Sequence, residues 1–341
     1  MISETDRKLT YPIALLLSIP GRKTFEALAR GIETSGDSIS RIVEHYAATP
    51  QDLIKIVKKM LRGKRLYLVI DDTLILKIYS KTIPGTCDNY DSADGRVYRS
   101  LCAVVALITD GKIAIPIDQR LWMSEEFAKN GHVKKWEIAQ ALISKIRQEL
   151  SIYMVLADGL YAVFAFLEWL IFQGIKFEMR FHANRVIDDK GFKTQIRRSP
   201  KFVMSGKRPK RTISALWNGV LFYFTAIRRI TKYGTVIVTY QISNYKASAG
   251  EHMQAYSYRW NIEKFFRTAK QKLGLNDCQS RKQDLQEKHI LNVFFTYALL
   301  QYDRKKYNFK NVESAIKQVK CDSFAQLKSH FMRSAEIFGI A

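Results

Sequence analysis

Residues 66–73 read Leu66-Tyr67-Leu68-Val69-Ile70-Asp71-Asp72-Thr73, five apolar residues running into two adjacent carboxylates and a threonine. A short, unbroken apolar run of this length is the pattern of a strand buried on both faces. Downstream, a polar loop over 81–96 precedes two more strand-like runs, 97–108 and 112–117, joined by Asp110-Gly111. Asp-Gly between apolar runs predicts a hairpin, because both central residues of its turn need positive φ. An amphipathic helix over 132–150 follows, then a strand over 152–156 that runs into Ala157-Asp158-Gly159. A helix over 160–172 and a strand over 175–181 (IKFEMRF) complete the pattern. Sequential strands followed by alternating strands and helices predict an α/β fold, a mixed sheet covered by helices on both faces. This is also the element order of the ribonuclease H-like fold, an analogy that by itself gives no function.

Outward from this centre the composition changes. Before it, residues 1–64 read as short helices: 24–30, 38–46 behind Asp37 as a cap, and 51–61. Helix-turn-helix and plain bundle both fit this region. After it, residues 191–250 hold twelve Lys or Arg and no Asp or Glu, with strand-like enrichment over 216–226 and 235–243. That predicts a basic, β-rich insertion. One helix over 251–273 and a helical end over 285–307 and 311–337 complete the chain. The predicted organisation is a helical region over 1–64, a catalytic α/β domain over 65–189 and 251–283, the insertion over 190–250, and a helical region over 284–341.

The 341 residues carry 55 Lys and Arg against 32 Asp and Glu, a formal charge of +23. Such an excess selects polyanionic partners, nucleic acid or an anionic membrane. No apolar stretch approaches the roughly 20 residues that cross a bilayer, which weakens the membrane option. The run 11–20 (YPIALLLSIP) holds two prolines and no small-residue cleavage site, so it reads as a short buried segment rather than a leader. Cys87, Cys102, Cys278 and Cys321 lie far apart with no C-x-x-C pair, as expected of free thiols in a reducing cytoplasm.

Open α/β sheets place their ligands at the carboxyl ends of strands. Asp72 and Asp158 stand at two such predicted ends. Two carboxylates brought together raise each other's pKa, and a hard cation such as Mg²⁺ relieves that conflict. Either residue alone also suits a turn. A third carboxylate lies in 256–270 (YSYRWNIEKFFRTAK). Tyr256, Arg259, Glu263 and Lys270 sit at offsets 0, 3, 7 and 14, within roughly 60° on one helix face. A carboxylate flanked by two cations and a phenol suits a metal ligand beside phosphate-holding groups; a solvated face with an Arg259–Glu263 pair is the plainer alternative.

The spacing Y-(2)-R-(3)-E-(6)-K, filled by Tyr256, Arg259, Glu263 and Lys270, resembles the signature of a large group of DDE transposases from bacterial insertion sequences. The first carboxylate of that family lies in a strand-end D-T motif, which Ile70-Asp71-Asp72-Thr73 resembles; the second lies in a segment like 156–162 (LADGLYA). The resemblance spans about 66–275 and includes a β-rich insertion before the glutamate. Asp72 is taken as the first ligand because it directly precedes Thr73, and only one of two successive strand residues can face the site.

The resemblance implies cleavage at the ends of a mobile element and attack of the freed 3′-OH on target DNA. Asp72, Asp158 and Glu263 would be catalytic and hold two Mg²⁺ ions, with Mn²⁺ as a substitute. Asp72 would bridge the ions, Arg259 and Lys270 would hold phosphates, and Tyr256 would contact the terminal nucleotide. The partners implied are terminal inverted repeats and target DNA, with a homodimer on the DNA, in a bacterial cytoplasm at the nucleoid. Arg197, Arg198, Lys207, Arg208, Lys210, Arg211, Arg228 and Arg229 form the expected phosphate-contact surface of the insertion. Trp217 is expected in a core, and His182 as a structural histidine beside the site. The competing functions are a DNA-binding protein derived from a transposase without catalysis, and a ribonuclease H-like nuclease that cuts without joining.

Overall fold

The computed structural model describes residues 3–18, 23–80, 82–91, 94–128, 131–202 and 209–340. The chain begins with helices α1 (Glu4–Leu17), α2 (Phe25–Arg30), α3 (Gly36–Tyr46) and α4 (Pro50–Met60). Strands β1 (Leu66–Leu76), β2 (Cys87–Asp91), β3 (Arg96–Thr109) and β4 (Ala114–Trp122) follow, then α5 (Glu125–Ala128), α6 (Lys135–Arg147), β5 (Ile152–Ala157) and α7 (Phe164–Phe172). Next come β6 (Lys176–Phe181), β7 (Val186–Asp189), β8 (Phe192–Gln195), β9 (Lys210–Trp217), β10 (Val220–Ile230) and β11 (Val236–Ser243). Helices α8 (Ala249–Ser257), α9 (Trp260–Lys272), α10 (Gln283–Lys306), α11 (Val312–Val319) and α12 (Phe324–Phe338) end it. Two compact units share the chain: Met1–Lys64, Asp72–Leu150 and Asn261–Ala341 form one, Arg65–Asp71 and Ser151–Trp260 the other.

The first unit is built around α10, whose residues are buried nearly all round, as an apolar helix interior to a bundle must be. It packs on β4, α1, α4 and α11, while α1 packs on α12 and α3. Phe265 of α9 meets Phe294 and Tyr297 of α10 edge-on, at 5.3 and 4.9 Å between ring centres. β3 pairs antiparallel with β2 along its first half and with β4 along its second. The turn at Asp110-Gly111 is present, with Gly111 at φ 95°. Residues 11–16 are buried, as expected, within α1, which Ser3 caps; residues 19 and 20 lie outside the described residues. The loop predicted over 81–96 contains β2, whose Asn89 is buried and donates to Ser100. The helical end expected over 311–337 consists of α11 and α12, each with its own side-chain cap.

His289 of α10 is fully buried between Tyr11 Oη, 2.7 Å from Nδ1, and the carbonyl of Gly274, 3.0 Å from Nε2. A neutral ring with its proton on Nε2 satisfies both contacts; a second proton on Nδ1 would face the tyrosine hydroxyl. Burial accordingly pushes the imidazole down to about 3. The folded group thus binds its proton less readily than the unfolded one, so its contribution is full above about pH 6.5 and is lost as pH falls toward 3. Between pH 7.5 and 5 this histidine should cost about 2 kcal/mol of stability. Urea unfolding of His289→Gln should show a pH slope flatter than the parent by that amount; equal slopes would refute a neutral, buried His289.

In the second unit the strand order is β1-β5-β6-β11-β10-β9-β7-β8. β1, β5 and β6 run parallel, with Ile70 beside Ala157 and Ala157 beside Met179. From β11 onward each pairing is antiparallel. The basic segment therefore extends the sheet, β11 pairing with β6 from Tyr240↔Phe181 to Ser243↔Glu178. The strand predicted over 216–226 is interrupted. Asn218 and Gly219, at φ 50° and 82°, make a two-residue turn between β9 and β10, the hairpin geometry that Asn-Gly favours. Trp217 is half-buried among Phe164, Phe181 and Phe222, with the Arg185 guanidinium over its ring.

Candidate active site

β1 does not stop at Ile70. It continues to Leu76, so Asp71 and Asp72 lie inside a strand and their side chains point to opposite faces. Pairing with β5 is recorded as far as Ile70↔Ala157. Asp158 keeps an extended backbone, so the next step of this parallel register sets Asp71 beside Asp158. The next step between β5 and β6 sets Asp158 beside Arg180. In-register neighbours on parallel strands share a face, so this continuation lines up Asp71 of β1, Asp158 just past the end of β5 and Arg180 of β6 in a row. Asp158 caps the short 3-10 turn Gly159–Tyr161 without spending its carboxylate on a capping bond.

Helix α8 packs on β6, β9 and β10. It starts at Ser248, whose hydroxyl accepts from the Glu251 amide while the Glu251 carboxylate accepts from the Ser248 amide. The single helix predicted over 251–273 is broken. α8 ends at Ser257, Tyr258 and Arg259 form a tightened turn bonded to Ala255 and Tyr256, and α9 begins at Trp260. Arg259 Nη1 lies 2.8 Å from Asp71 Oδ2, both groups largely shielded from water. Its guanidinium carbon also stands 5.6 Å from the Tyr256 ring centre. Burial pushes the Tyr256 phenol up to about 12; Arg259 lowers it, Asp158 raises it, Arg180 lowers it and Asp71 raises it. Tyr256 is therefore a neutral donor within electrostatic reach of the whole row.

Asp72 faces elsewhere. Lys135 Nζ of α6 lies 2.7 Å from its Oδ2, and the Cys102 thiol 3.6 Å from the same oxygen. Burial and the Asp72 charge push that thiol up to about 12, which leaves it a neutral neighbour. A cavity of about 220 Å³ is lined by Asp72, Asn89, Asp91, Lys135 and Lys270, among others. Thus Tyr256, Arg259 and Asp158 gather with Asp71 in one unit, while Asp72 and Lys270 share a cavity in the other. Glu263 is half-buried in the first turn of α9. Among the described residues, no three His, Cys, Asp or Glu side chains stand together as a ready metal cluster.

Sequence reasoning chose Asp72 over the adjacent Asp71, and it passed over a buried trio. Glu178 of β6 and His252 of α8 are fully buried, with Oε2 and Nδ1 2.7 Å apart, and the Tyr245 hydroxyl donates to the same oxygen at 3.0 Å. Burial pushes Glu178 up to about 7, against His252 and Tyr245, which pull it down. A glutamate flanked by Phe177 and Met179, the one acidic residue of β6, was the available signal. His182 is exposed, and a Cβ placed on Gly159 would come within 3.0 Å of its Nε2.

Of the predicted phosphate contacts, Arg197, Arg198, Lys210, Arg211 and Arg229 are exposed and Arg228 is half-buried; Lys207 and Arg208 lie outside the described residues. The four cysteines are free, Cys321 exposed and the others buried. Among the described residues no helix is long and apolar enough to cross a membrane.

Residues 89–299 match the family model of the transposase DDE domain, a stretch that holds Asp158, Tyr256, Arg259, Glu263 and Lys270 and begins within β2. The fold is similar to that of piggyBac transposase in a cryo-EM structure of its synaptic complex with hairpin DNA. The TM-score is 0.53 at 9% identity, over 97% of this chain and 72% of that one. At that identity the likeness is one of fold, a mixed α/β architecture of the ribonuclease H-like kind. No curated protein matches the sequence at a significant level. The family match takes in more than half of the 341 residues, and the chain belongs to the transposase DDE domain family.

Proposed function

We propose that this transposase serves an insertion sequence, cutting DNA at the element's ends and joining the freed 3′-OH to target DNA. We further propose Asp71, rather than Asp72, as the first catalytic carboxylate, with Asp158 and Glu263 as the second and third. The observation that supports the reading is the parallel register of Ile70 with Ala157, which, continued one step, sets Asp71 beside Asp158, together with the Arg259–Asp71 ion pair and the effect of both carboxylates on Tyr256. Glu263 joins them on the strength of its motif alone.

Transposases of this family use divalent metal ions. The donors fit a hard cation: they are carboxylate oxygens, and Asp158 makes no capping bond that would compete. Asp71, Asp158 and Glu263 would hold two Mg²⁺ ions, with Mn²⁺ able to replace them. Bound there, such ions would neutralise phosphate charge and ease deprotonation of the attacking water or 3′-OH. The protein's own groups do the positioning. Arg259 balances Asp71 and, released from it, offers a planar pair of donors to a phosphate beside the broken bond. Tyr256 keeps its proton at any working pH and donates to the terminal nucleotide. Lys270 and the exposed arginines and lysines of β9, β10 and the 195–202 segment hold the DNA backbone, an attraction that weakens steeply with salt. Two ends must be cut together, so a homodimer on the DNA is the expected assembly, acting at the cytoplasmic nucleoid.

The test is incubation with a supercoiled plasmid carrying the DNA that flanks this coding sequence, with Mg²⁺ or with Ca²⁺. Breaks at the element boundary and products joined to a second plasmid are expected with Mg²⁺ only. Breaks without joined products would favour the nuclease reading. Binding without Mg²⁺-dependent breakage would favour a silent DNA-binding protein.

A further inference from the structure

We propose that the buried pair Glu178–His252, braced by Tyr245, fixes the position of α8 along the sheet and thereby sets Tyr256 and Arg259 at the carboxylate row. The inference rests on the reading of Asp71 and Asp158 as the catalytic row. Glu178 and Arg180 are two apart on β6 and share a face, so Glu178 lies one step behind the row that Arg180 ends. His252 and Tyr256 are four apart on α8 and share its face. Two strand residues advance about 6.6 Å and four helical residues about 6 Å, so the two spacings match. A contact between His252 and Glu178 therefore places Tyr256 level with Arg180, where Asp158, Arg180 and Asp71 all act on its phenol.

Apolar packing alone specifies the placement of a helix on a sheet less sharply than a hydrogen bond whose loss strands buried polar atoms. Here both partners are fully buried, and Tyr245 closes on the same carboxylate oxygen from the β11–α8 connection, its ring centre 4.9 Å from that of His252. Glu178 Oε1 and His252 Nε2 have no hydrogen-bond partner among the described residues, so apart from its contact with Tyr245 the pair looks inward to itself. Glu178 and His252 touch no reacting group in this reading; they are positioning residues.

Three variants of the full chain test this: His252→Leu, Glu178→Gln, and Tyr245→Phe, which removes one hydroxyl and leaves the fold least disturbed. Each is measured for plasmid affinity, for the single-turnover rate of Mg²⁺-dependent breakage, and for amide hydrogen exchange over 253–259. His252→Leu should keep plasmid affinity within about threefold of the parent, slow breakage by at least tenfold, and speed exchange over 253–259 relative to the sheet. Tyr245→Phe should do the same more weakly, and Glu178→Gln, which keeps an acceptor, should recover most of the rate. Unchanged exchange over 253–259 in folded variants would overturn the inference, as would a loss of rate that merely follows a uniform loss of melting temperature. If the parent itself breaks no DNA, the reading of the carboxylate row fails, while the exchange measurement still decides whether the pair holds α8.

Discussion

Asp71→Asn and Asp158→Asn should each lower Mg²⁺-dependent DNA breakage by on the order of 10³-fold or more, about 4 kcal/mol of transition-state stabilisation. Asp72→Asn should leave the rate within about tenfold of the parent. The contrast follows from strand geometry. The register of Ile70 with Ala157, continued one step, sets Asp71 beside Asp158, whereas Asp72 points to the opposite face and is held by Lys135. Asparagine keeps the size and one oxygen of each side chain but removes the charge that a hard cation needs. Binding to plasmid at low salt should persist in all three variants, because it depends on the basic surface. An inactive Asp72→Asn beside an active Asp71→Asn would restore Asp72 as the ligand.

For stability, the largest single loss is expected at the seam between α9 and α10. Phe265 is fully buried and meets Phe294 and Tyr297 edge-on. Phe265→Ala removes a whole ring from a closely packed site and should cost about 3–5 kcal/mol, including the cavity left behind. Phe172, which ends α7 at 86% exposure, supplies the control, since Phe172→Ala should change stability by less than about 0.5 kcal/mol. Urea unfolding curves separate these values readily, and a cost below 1 kcal/mol at Phe265 would mean that the seam is not packed as described.

Much of the fold could be read from local pattern. The apolar runs at 66–70 and 152–156 became β1 and β5 because five unbroken apolar residues can be buried only by neighbours on both sides, while the alternation of 175–181 (IKFEMRF) became β6. Asp158 and the Tyr256–Lys270 motif were legible because a carboxylate at the end of an apolar run, and charged groups at one helical spacing, stand out from their surroundings. Local pattern was silent where pairing decides. Asp71 and Asp72 are chemically identical neighbours, and only the register with β5, some 87 positions away, says which one stands beside Asp158. The Asn218-Gly219 turn was hidden by the apolar residues on either side of it. The break at Tyr258 and Arg259 carries no proline or glycine, so the motif's helical spacing suggested one helix where there are two. Glu178 and His252 are 74 residues apart, and each alone is an unremarkable polar residue in an apolar neighbourhood.

The most direct measurement is a crystal structure of the protein soaked in Mn²⁺, with the anomalous signal of the metal used to locate it. Density is expected between the carboxylates of Asp71 and Asp158, with Arg259 turned away from Asp71. Manganese bound at Asp72 beside Lys135, or none near Asp71 and Asp158 at saturating metal, would contradict the assignment.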